Sequence, residues 1–433
     1  LGAGAFVQTF AEYWDDSGPD GLVLGDEGYV EADAGEGNNV WDPGETFTDA
    51  NGNGSWDEFR QPKEFNVYIQ NTFEVPWMVI NYGIRADFVN YNTQIWADTA
   101  GNYSPGRPWF FSDLNNNDRW DAGEKASDLA GLARQKVFLK DSGWSYKISP
   151  RIGFSHVITD KSTFTFNYGL YMQNPIYQDV YLNTNRLEDP EELFEESEQS
   201  IVGNATIGAE KTQEYSAGLN VQVGRSWKYS IMAWVKDMDQ MTRYNHQRSG
   251  VYTYSVGANG DYGSAKGIDI DLEWRGRMFG SKLQYGNMIT KQNSEYAWAS
   301  ISGQYIDAPS QESITYFDRP HTLTYWLYTM LPFGIRTSLV ARYESGTPYT
   351  PMIFAGRDPT YDGKNPNSKR SPGWKDLDIS FSKYISTMGH TIAMGLNVYN
   401  VLDIRNAVDV YPLTGKPLDP GEYYTNYVGL PRT

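Results

Sequence analysis

The stretch Trp144–Met172, WSYKISPRIGFSHVITDKSTFTFNYGLYM, constrains the fold more than any other part of the chain. Trp144, Tyr146, Ile148, Pro150, Ile152 and Phe154 occupy alternate positions. Ser145, Lys147, Ser149, Arg151, Gly153 and Ser155 fall between them. After the polar turn Thr159-Asp-Lys-Ser162 the rhythm resumes, with Phe164, Phe166, Tyr168, Leu170 and Met172 against Thr163, Thr165, Asn167, Gly169 and Tyr171. Strict period-two alternation is the mark of a β-strand with one apolar and one polar face. Each arm supplies the roughly 9–11 residues that a tilted strand needs to cross a bilayer. An aromatic-rich apolar face opposite a wet one predicts a transmembrane β-barrel, with lipid outside and water or a plug inside.

Composition agrees. The 433 residues have a mean hydropathy of −0.57 and no apolar run of about 18 residues, which excludes helical spans but not barrel strands. Aromatics reach 15%, with 32 Tyr and 14 Trp, as two interfacial girdles require. A net charge of −18 argues against nucleic acid and anionic lipid surfaces and suits metal cations. With no cysteine there is no disulfide framework, zinc-thiolate site or cysteine nucleophile. The sequence opens at Leu1-Gly-Ala-Gly-Ala without a signal peptide, as a mature fragment would.

Along the chain, about thirteen strands are expected. They start with Ala5–Trp14, Glu64–Val75 and Met78–Trp96, continue through the hairpin above, and go on to Ala209–Gly224 and Trp227–Asp239. Met241–Gly263 reads as a loop. Further strands centre on Ile268–Trp274, Lys282–Gln292, Leu323–Leu327, Ile335–Glu344, Leu377–Phe381 and Ile392–Val398. Connections alternate strictly between short turns and long polar segments, the longest being about 15–61, 97–143, 174–208, 293–319 and 345–373. That asymmetry is the rule for outer-membrane barrels, with the long side extracellular and the short turns periplasmic. Single-chain bacterial barrels are even-stranded, so a fourteenth strand is expected beyond Thr433.

Several motifs resemble the C-terminal barrel of TonB-dependent outer-membrane receptors, roughly over Glu64–Thr433. They are SPRIGFSH (149–156), YGLYMQNP (168–175), TQEYSAGL (212–219), SGTPYTP (345–351) and LNVYNVLD (396–403), with GLPRT (429–433) similar to the start of the family's last strand. The resemblance implies an all-β antiparallel barrel of about 22 strands, of which these would be the last 13–14. It implies TonB-energised uptake of a scarce nutrient such as a glycan, peptide, siderophore or cobalamin, with no enzymatic activity. It implies a location in the cell outer membrane, among its lipid and lipopolysaccharide. The partners implied are a small nutrient ligand, the TonB complex acting through a plug that these residues do not include, and a surface-exposed lipoprotein. Without the resemblance, two other readings fit the residues: a passive porin-like barrel of about fourteen strands, and a secreted all-β Ca²⁺-dependent adhesin or glycan-binding protein.

Two segments carry candidate metal ligands. In Asp113–Glu124, oxygen ligands fall at positions one, three, five, nine and twelve as Asp113, Asn115, Asn117, Asp121 and Glu124, with the Arg119 carbonyl at seven. This is the EF-hand loop spacing for Ca²⁺, apart from Asp118 where glycine is usual. The second, Asp49, Asn51, Asn53, Ser55 and Asp57, has Gly54 at position six but Arg60 at twelve, so it lacks the bidentate glutamate. Upstream, Trp41-Asp42-Pro-Gly-Glu45 repeats Trp120-Asp121-Ala-Gly-Glu124 as a degenerate site. Turn formation by Asn-Gly and Asp-Asn clusters competes with the Ca²⁺ reading. Any Ca²⁺ here is expected to be structural, ordering the long loops.

Elsewhere the chemistry is sparse. His156, His246, His321 and His390 are scattered without metal-ligand spacing and read as surface or lumen residues. No HExxH, GxSxG or P-loop occurs. Asp269, Asp271 and Glu273 share one strand face and read better as lumen residues than as glycosidase acids. Glu191–Glu198 reads as a solvated acidic loop. Loop aromatics including Trp109, Tyr252, Tyr254, Tyr305, Tyr349 and Tyr361 suit sugar or peptide stacking as well as girdle packing.

Overall fold

The computed structural model describes residues 15–18, 21–22, 28–29, 31, 36–37, 45–48, 61–96, 139–182, 200–249, 252–293, 312–354, 358–387 and 389–421. Twelve principal strands follow one another as an antiparallel meander. They are β1 (Lys63–Val75), β2 (Met78–Asn90), β3 (Ser145–Thr159), β4 (Ser162–Gln173), β5 (Glu210–Val223) and β6 (Trp227–Ser249). Then come β7 (Tyr252–Arg275), β8 (Phe279–Gln292), β9 (His321–Leu331), β10 (Ile335–Glu344), β11 (Trp374–Thr387) and β12 (His390–Val398). Two short strands join the same sheet. Ser313–Ile314 pairs with β8, and Ser200–Val202 pairs parallel with Tyr254–Val256 of β7, a local departure from the antiparallel pattern expected throughout. Within the described residues the sheet is not closed: β1 and β12 are its edges.

Register aligns the alternation of every strand. One row of paired residues runs Phe73, Ile80, Phe154, Phe166, Ala217, Ala233, Ile268. The neighbouring row, on the other face, runs Thr72, Asn81, Gly153, Asn167, Ser216, Trp234, Gly267. A one-residue slip in any strand would move its apolar set to the polar face, so the pattern itself fixes the register. The apolar face is largely bare: Ile69, Ile84, Tyr146, Leu396 and Met394 all stand in the open.

The turns between β1–β2, β3–β4, β5–β6, β7–β8, β9–β10 and β11–β12 are short, and all lie at one end of the sheet. Gly224 and Gly389 supply the positive φ (63° and 78°) that such tight reversals need. In the β9–β10 turn, Phe333 takes φ 65° beside Gly334 at 70°, and the residue is largely exposed.

The long connections hold more structure than the sequence suggested. Met241–Gly263, expected as a loop, is instead the continuation of both β6 and β7. The ladder survives there through register shifts at Asn259/Asp261 and Asp261/Gly263, with Gln240 at φ 56°. Asn259 accepts from the Gly208 N–H (2.6 Å) and donates to the Gly208 and Gln240 carbonyls, standing in for lost backbone pairs. Met78–Trp96 is not one strand: β2 ends at Asn90, Asn92 turns left-handed at φ 49°, and Gln94–Trp96 pairs with Leu139–Asp141. Segment 174–208 contains the short helix α1 (Tyr177–Tyr181), and 345–373 contains two miniature ladders, Pro348–Tyr349 with Lys369–Arg370 and Met352–Phe354 with Pro359–Tyr361. These departures have one cause: beyond the two-faced part of the wall nothing demands alternation, so the pattern that reveals strands fades while the strands do not. Of the thirteen strands expected, Ala5–Trp14 lies outside the described residues, as do Glu191–Glu198.

A small buried cluster caps the long-loop end of the wall. Val89 at the end of β2 and Tyr91 just after it pack against Val180 and Tyr181 of α1, with Tyr177 and Ala205 alongside. The Tyr181 hydroxyl donates to the Tyr91 carbonyl, and the Tyr244 hydroxyl of β6 donates to the buried Asp179 carboxylate. Thus α1 clips the projecting β6–β7 hairpin to the top of β2.

Candidate functional site

The polar face carries the chemistry of the described residues. Its charges are mostly matched in place. Arg85 chelates Asp87 through Nε (2.8 Å) and Nη2 (2.6 Å). Lys236 meets Glu214 at 3.3 Å and Lys282 meets Asp271 at 3.6 Å. Arg342 Nη1 bridges Asp376 (2.7 Å) and Asp378 (2.9 Å), and Asp378 also accepts from the Asn400 N–H at 3.0 Å. Arg85 and Asp87 are two residues apart on one face of β2, whereas register makes the other pairs: Glu214 lies opposite Lys236 and Asp376 opposite Arg342, and Asp271 and Asp378 are the diagonal neighbours of Lys282 and Arg342.

Between β1 and β5 this face forms a groove of about 650 Å³. Tyr68, Gln70, Asn81, Arg151, Asn167 and Tyr171 contribute to its walls. Gly83 and Gly169 lie directly opposite Arg151 on the two flanking strands, so its nearest neighbours in the row carry no side chain; Gln70 and Glu214 stand one strand further out. A Cβ on Gly169 would meet the Tyr171 ring at 2.6 Å. The guanidinium lies 4.5 Å from the centre of that ring, a cation–π brace. The groove can hold polar or anionic groups through hydrogen bonding.

Asp269, Asp271 and Glu273, singled out in the sequence, all lie on this face. Asp269 accepts from Trp234 Nε1 at 2.9 Å, Asp271 from Gln284 Nε2 at 2.6 Å, and Glu273 pairs with Arg275 at 2.5 Å. Each is engaged with a different donor. The histidines whose side chains are described, His156, His321 and His390, do not converge. His156 packs edge-on to Trp77 at 5.9 Å, His321 Nδ1 sits 2.8 Å from the Tyr285 hydroxyl, and His390 begins β12. Among the described residues no group of three or more His, Cys, Asp or Glu side chains is placed to hold a metal.

Every candidate Ca²⁺ ligand (Asp49, Asn51, Asn53, Ser55, Asp57, Asp113, Asn115, Asn117, Arg119, Asp121 and Glu124) lies outside the described residues. Of the degenerate upstream site only Glu45 is described. It is buried and accepts from the Gly18 N–H at 2.9 Å. Among the loop aromatics, Tyr349 and Tyr361 fall in the two miniature ladders.

Sequence reasoning missed the buried knot where three long-loop-end segments meet. Asp318 is fully buried and accepts from the Thr290 N–H at 2.7 Å. Arg370 Nη2 pairs with its carboxylate, while Nη1 donates to the Asp318 carbonyl at 2.9 Å and the Gly346 carbonyl at 3.3 Å. Asn367 donates to the Ile314 carbonyl at 2.7 Å. A charged pair whose members lie 52 positions apart leaves no local signal.

A family model described as "TonB dependent receptor-like, beta-barrel" matches residues 4–401. Similar solved structures include the FrpB iron transporter from Neisseria meningitidis, 12% identical at a TM-score of 0.49 over 80% of this chain and 42% of that one. Others are the ferric-catecholate import receptor Fiu from E. coli (15%, 0.46, 81% and 42%) and the copper transporter OprC (12%, 0.47, 83% and 44%). The chain spans less than half the length of each of these. No curated protein matches its sequence.

Proposed function

The chain belongs to the TonB-dependent receptor-like β-barrel family, and from that premise we propose that it forms part of the wall of an outer-membrane receptor for TonB-energised uptake of a small nutrient. The observation that carries the reading is the unbroken pair of faces across twelve strands, one apolar and bare, the other polar and ion-paired. On β5 the apolar face runs from Tyr215 to Val223. Nine residues at about 3.3 Å each, tilted by about 40°, span about 23 Å, close to the roughly 25 Å apolar band of outer-membrane barrels. The short-turn rim carries Trp77, Trp227, Trp274 and Phe279, and the other rim Phe65, Trp144 and Tyr146, as two girdles require.

In this reading the apolar face meets lipid, the short turns face the periplasm, and the long segments at about 15–61 and 97–143 are extracellular. The polar face lines the lumen, and its groove around Arg151 contacts what fills or crosses it. The ligand class is a glycan, peptide, siderophore or cobalamin. TonB acts through a plug, and a surface-exposed lipoprotein assists capture. Ca²⁺ bound by Asp113–Glu124 and Asp49–Asp57 orders the extracellular segments, supported by their ligand spacing.

The test is growth of receptor-dependent cells on ferric siderophores, cobalamin, peptides and glycans, with and without functional TonB. Use of one of these should require both receptor and TonB. Uptake that persists without TonB sinks energised transport in favour of passive diffusion.

A further inference from the structure

Where the apolar face gives way to charge at the long-loop rim, β7, β8 and β9 present a patch of nitrogen donors outward. Register defines it in rows. The row Ala233, Ile268, Asn287, His321 is followed by Val235, Lys266, Ile289, and then by Asp237, Ser264, Lys291. Lys266 and Lys291 are therefore diagonal neighbours on adjacent strands, within reach of one ligand group. Lys266 is exposed and flanked by apolar Val235 and Ile289. Among the described residues neither lysine is in an ion pair, whereas Lys236 and Lys282 on the polar face both are. Tyr285 and His321, joined at 2.8 Å, and Asn287 complete the patch. Two carboxylates are nearby: Asp237, opposite Ser264 and diagonal to Lys266, and Glu312, which accepts from Ser264 at 2.9 Å.

We propose that Lys266 and Lys291 bind the phosphate of a phosphorylated glycolipid of the outer leaflet, the lipopolysaccharide class. This rests on reading the apolar face as lipid-facing and the long-loop side as extracellular. Lysine stems at a membrane boundary lie along apolar surface and lift their ammonium groups to the headgroup level. Here the acyl chains of the same lipid lie on Val235 beside Lys266 and on Ile268, Ile270 and Ile231 below it, on the same face of β6 and β7. The phosphate meets two unpaired ammonium groups, and sugar hydroxyls meet Asn287, Tyr285 and His321. Outer-leaflet position, positive charge and sugar-compatible donors favour this lipid over a phospholipid.

The experiment is native mass spectrometry of the full-length receptor in detergent, titrated with bis-phosphorylated lipid A, with the same lipid A stripped of its phosphates, and with phosphatidylglycerol. Wild type should prefer phosphorylated lipid A. Lys266→Gln/Lys291→Gln should lose about tenfold in that affinity, the scale of one charge-assisted contact, and bind both lipid A forms alike. Lys228→Gln, on the polar face, should behave as wild type. Equal binding by wild type and the double variant overturns the site, and equal competition by phosphatidylglycerol overturns the glycolipid assignment. Failure of the wild type to partition into detergent at all overturns the membrane reading beneath it, a separate result.

Discussion

Arg370 reaches across 52 residues to donate from Nη1 to the carbonyl of Asp318 at 2.9 Å, while its Nη2 pairs with the same residue's fully buried carboxylate. Removing one partner of such a pair strands a buried charge, which costs about 3–5 kcal/mol. Arg370→Ala should free segments 312–318 and 345–371 together. Limited proteolysis in detergent should cut both several-fold faster than wild type, while the heat-resistant mobility of the wall is retained. Unchanged cleavage would mean the pair holds nothing in place.

Gly346 lies beneath the same knot. A Cβ there would sit 1.7 Å from the Ser371 carbonyl oxygen, a backbone atom with no rotamer to escape into. Gly346→Ala should destabilise that segment by about 1–3 kcal/mol, the usual range for overpacking. Its protease sensitivity should resemble that of Arg370→Ala; wild-type resistance would show the backbone yields freely.

Ile270 faces outward between Ile231 and Tyr285. Ile270→Arg should cost about 2–4 kcal/mol if that face meets the bilayer midplane. Ser230→Ala, on the polar face opposite Asp271, should stay within about 0.5 kcal/mol, as ordinary surface changes do. Urea unfolding in lipid vesicles distinguishes them. A near-zero effect of Ile270→Arg would reverse the orientation of the wall.

Asp261 lies in the β7 bulge beyond the apolar band, buried and accepting from Asn293 Nδ2 at 3.1 Å. Burial pushes its carboxyl above the usual range, outweighing the opposing pull of Asn293 and Arg243. A folded-state pKa raised for an acid means that the folded form takes the proton more readily. The ionised group therefore weakens the hairpin at neutral pH, and the penalty fades as pH falls through the raised value towards 3.8. Asp261→Asn should slow hydrogen exchange in the 241–263 amides at pH 7 and remove its acid dependence. Faster exchange at pH 7 would show that the charge is needed by Arg243.

Ca²⁺ should raise the thermal midpoint of the full-length receptor, and chelation should lower it, if the Asp113–Glu124 segment binds the ion. Glu124→Gln removes the bidentate ligand and should abolish most of that response. A midpoint indifferent to both Ca²⁺ and chelator leaves these residues as turn formers.

Much of the wall was legible in the sequence because a strand with lipid on one side and water on the other must alternate. Trp144–Phe154 and Phe164–Met172 announced β3 and β4, their short turn and the face each residue takes, and the same rule recovered every principal strand of the described residues. Asp269, Asp271 and Glu273 were correctly placed together on one polar face for the same reason. Tertiary structure alone decided what lies beyond the band. There both sides of a strand meet water or other loops, so alternation carries no information, and β6 and β7 run on through a stretch that reads as loop. It alone brought Arg370 to Asp318 and set Lys266 diagonally to Lys291, since partners on different strands meet through register, and register is a property of the assembled sheet.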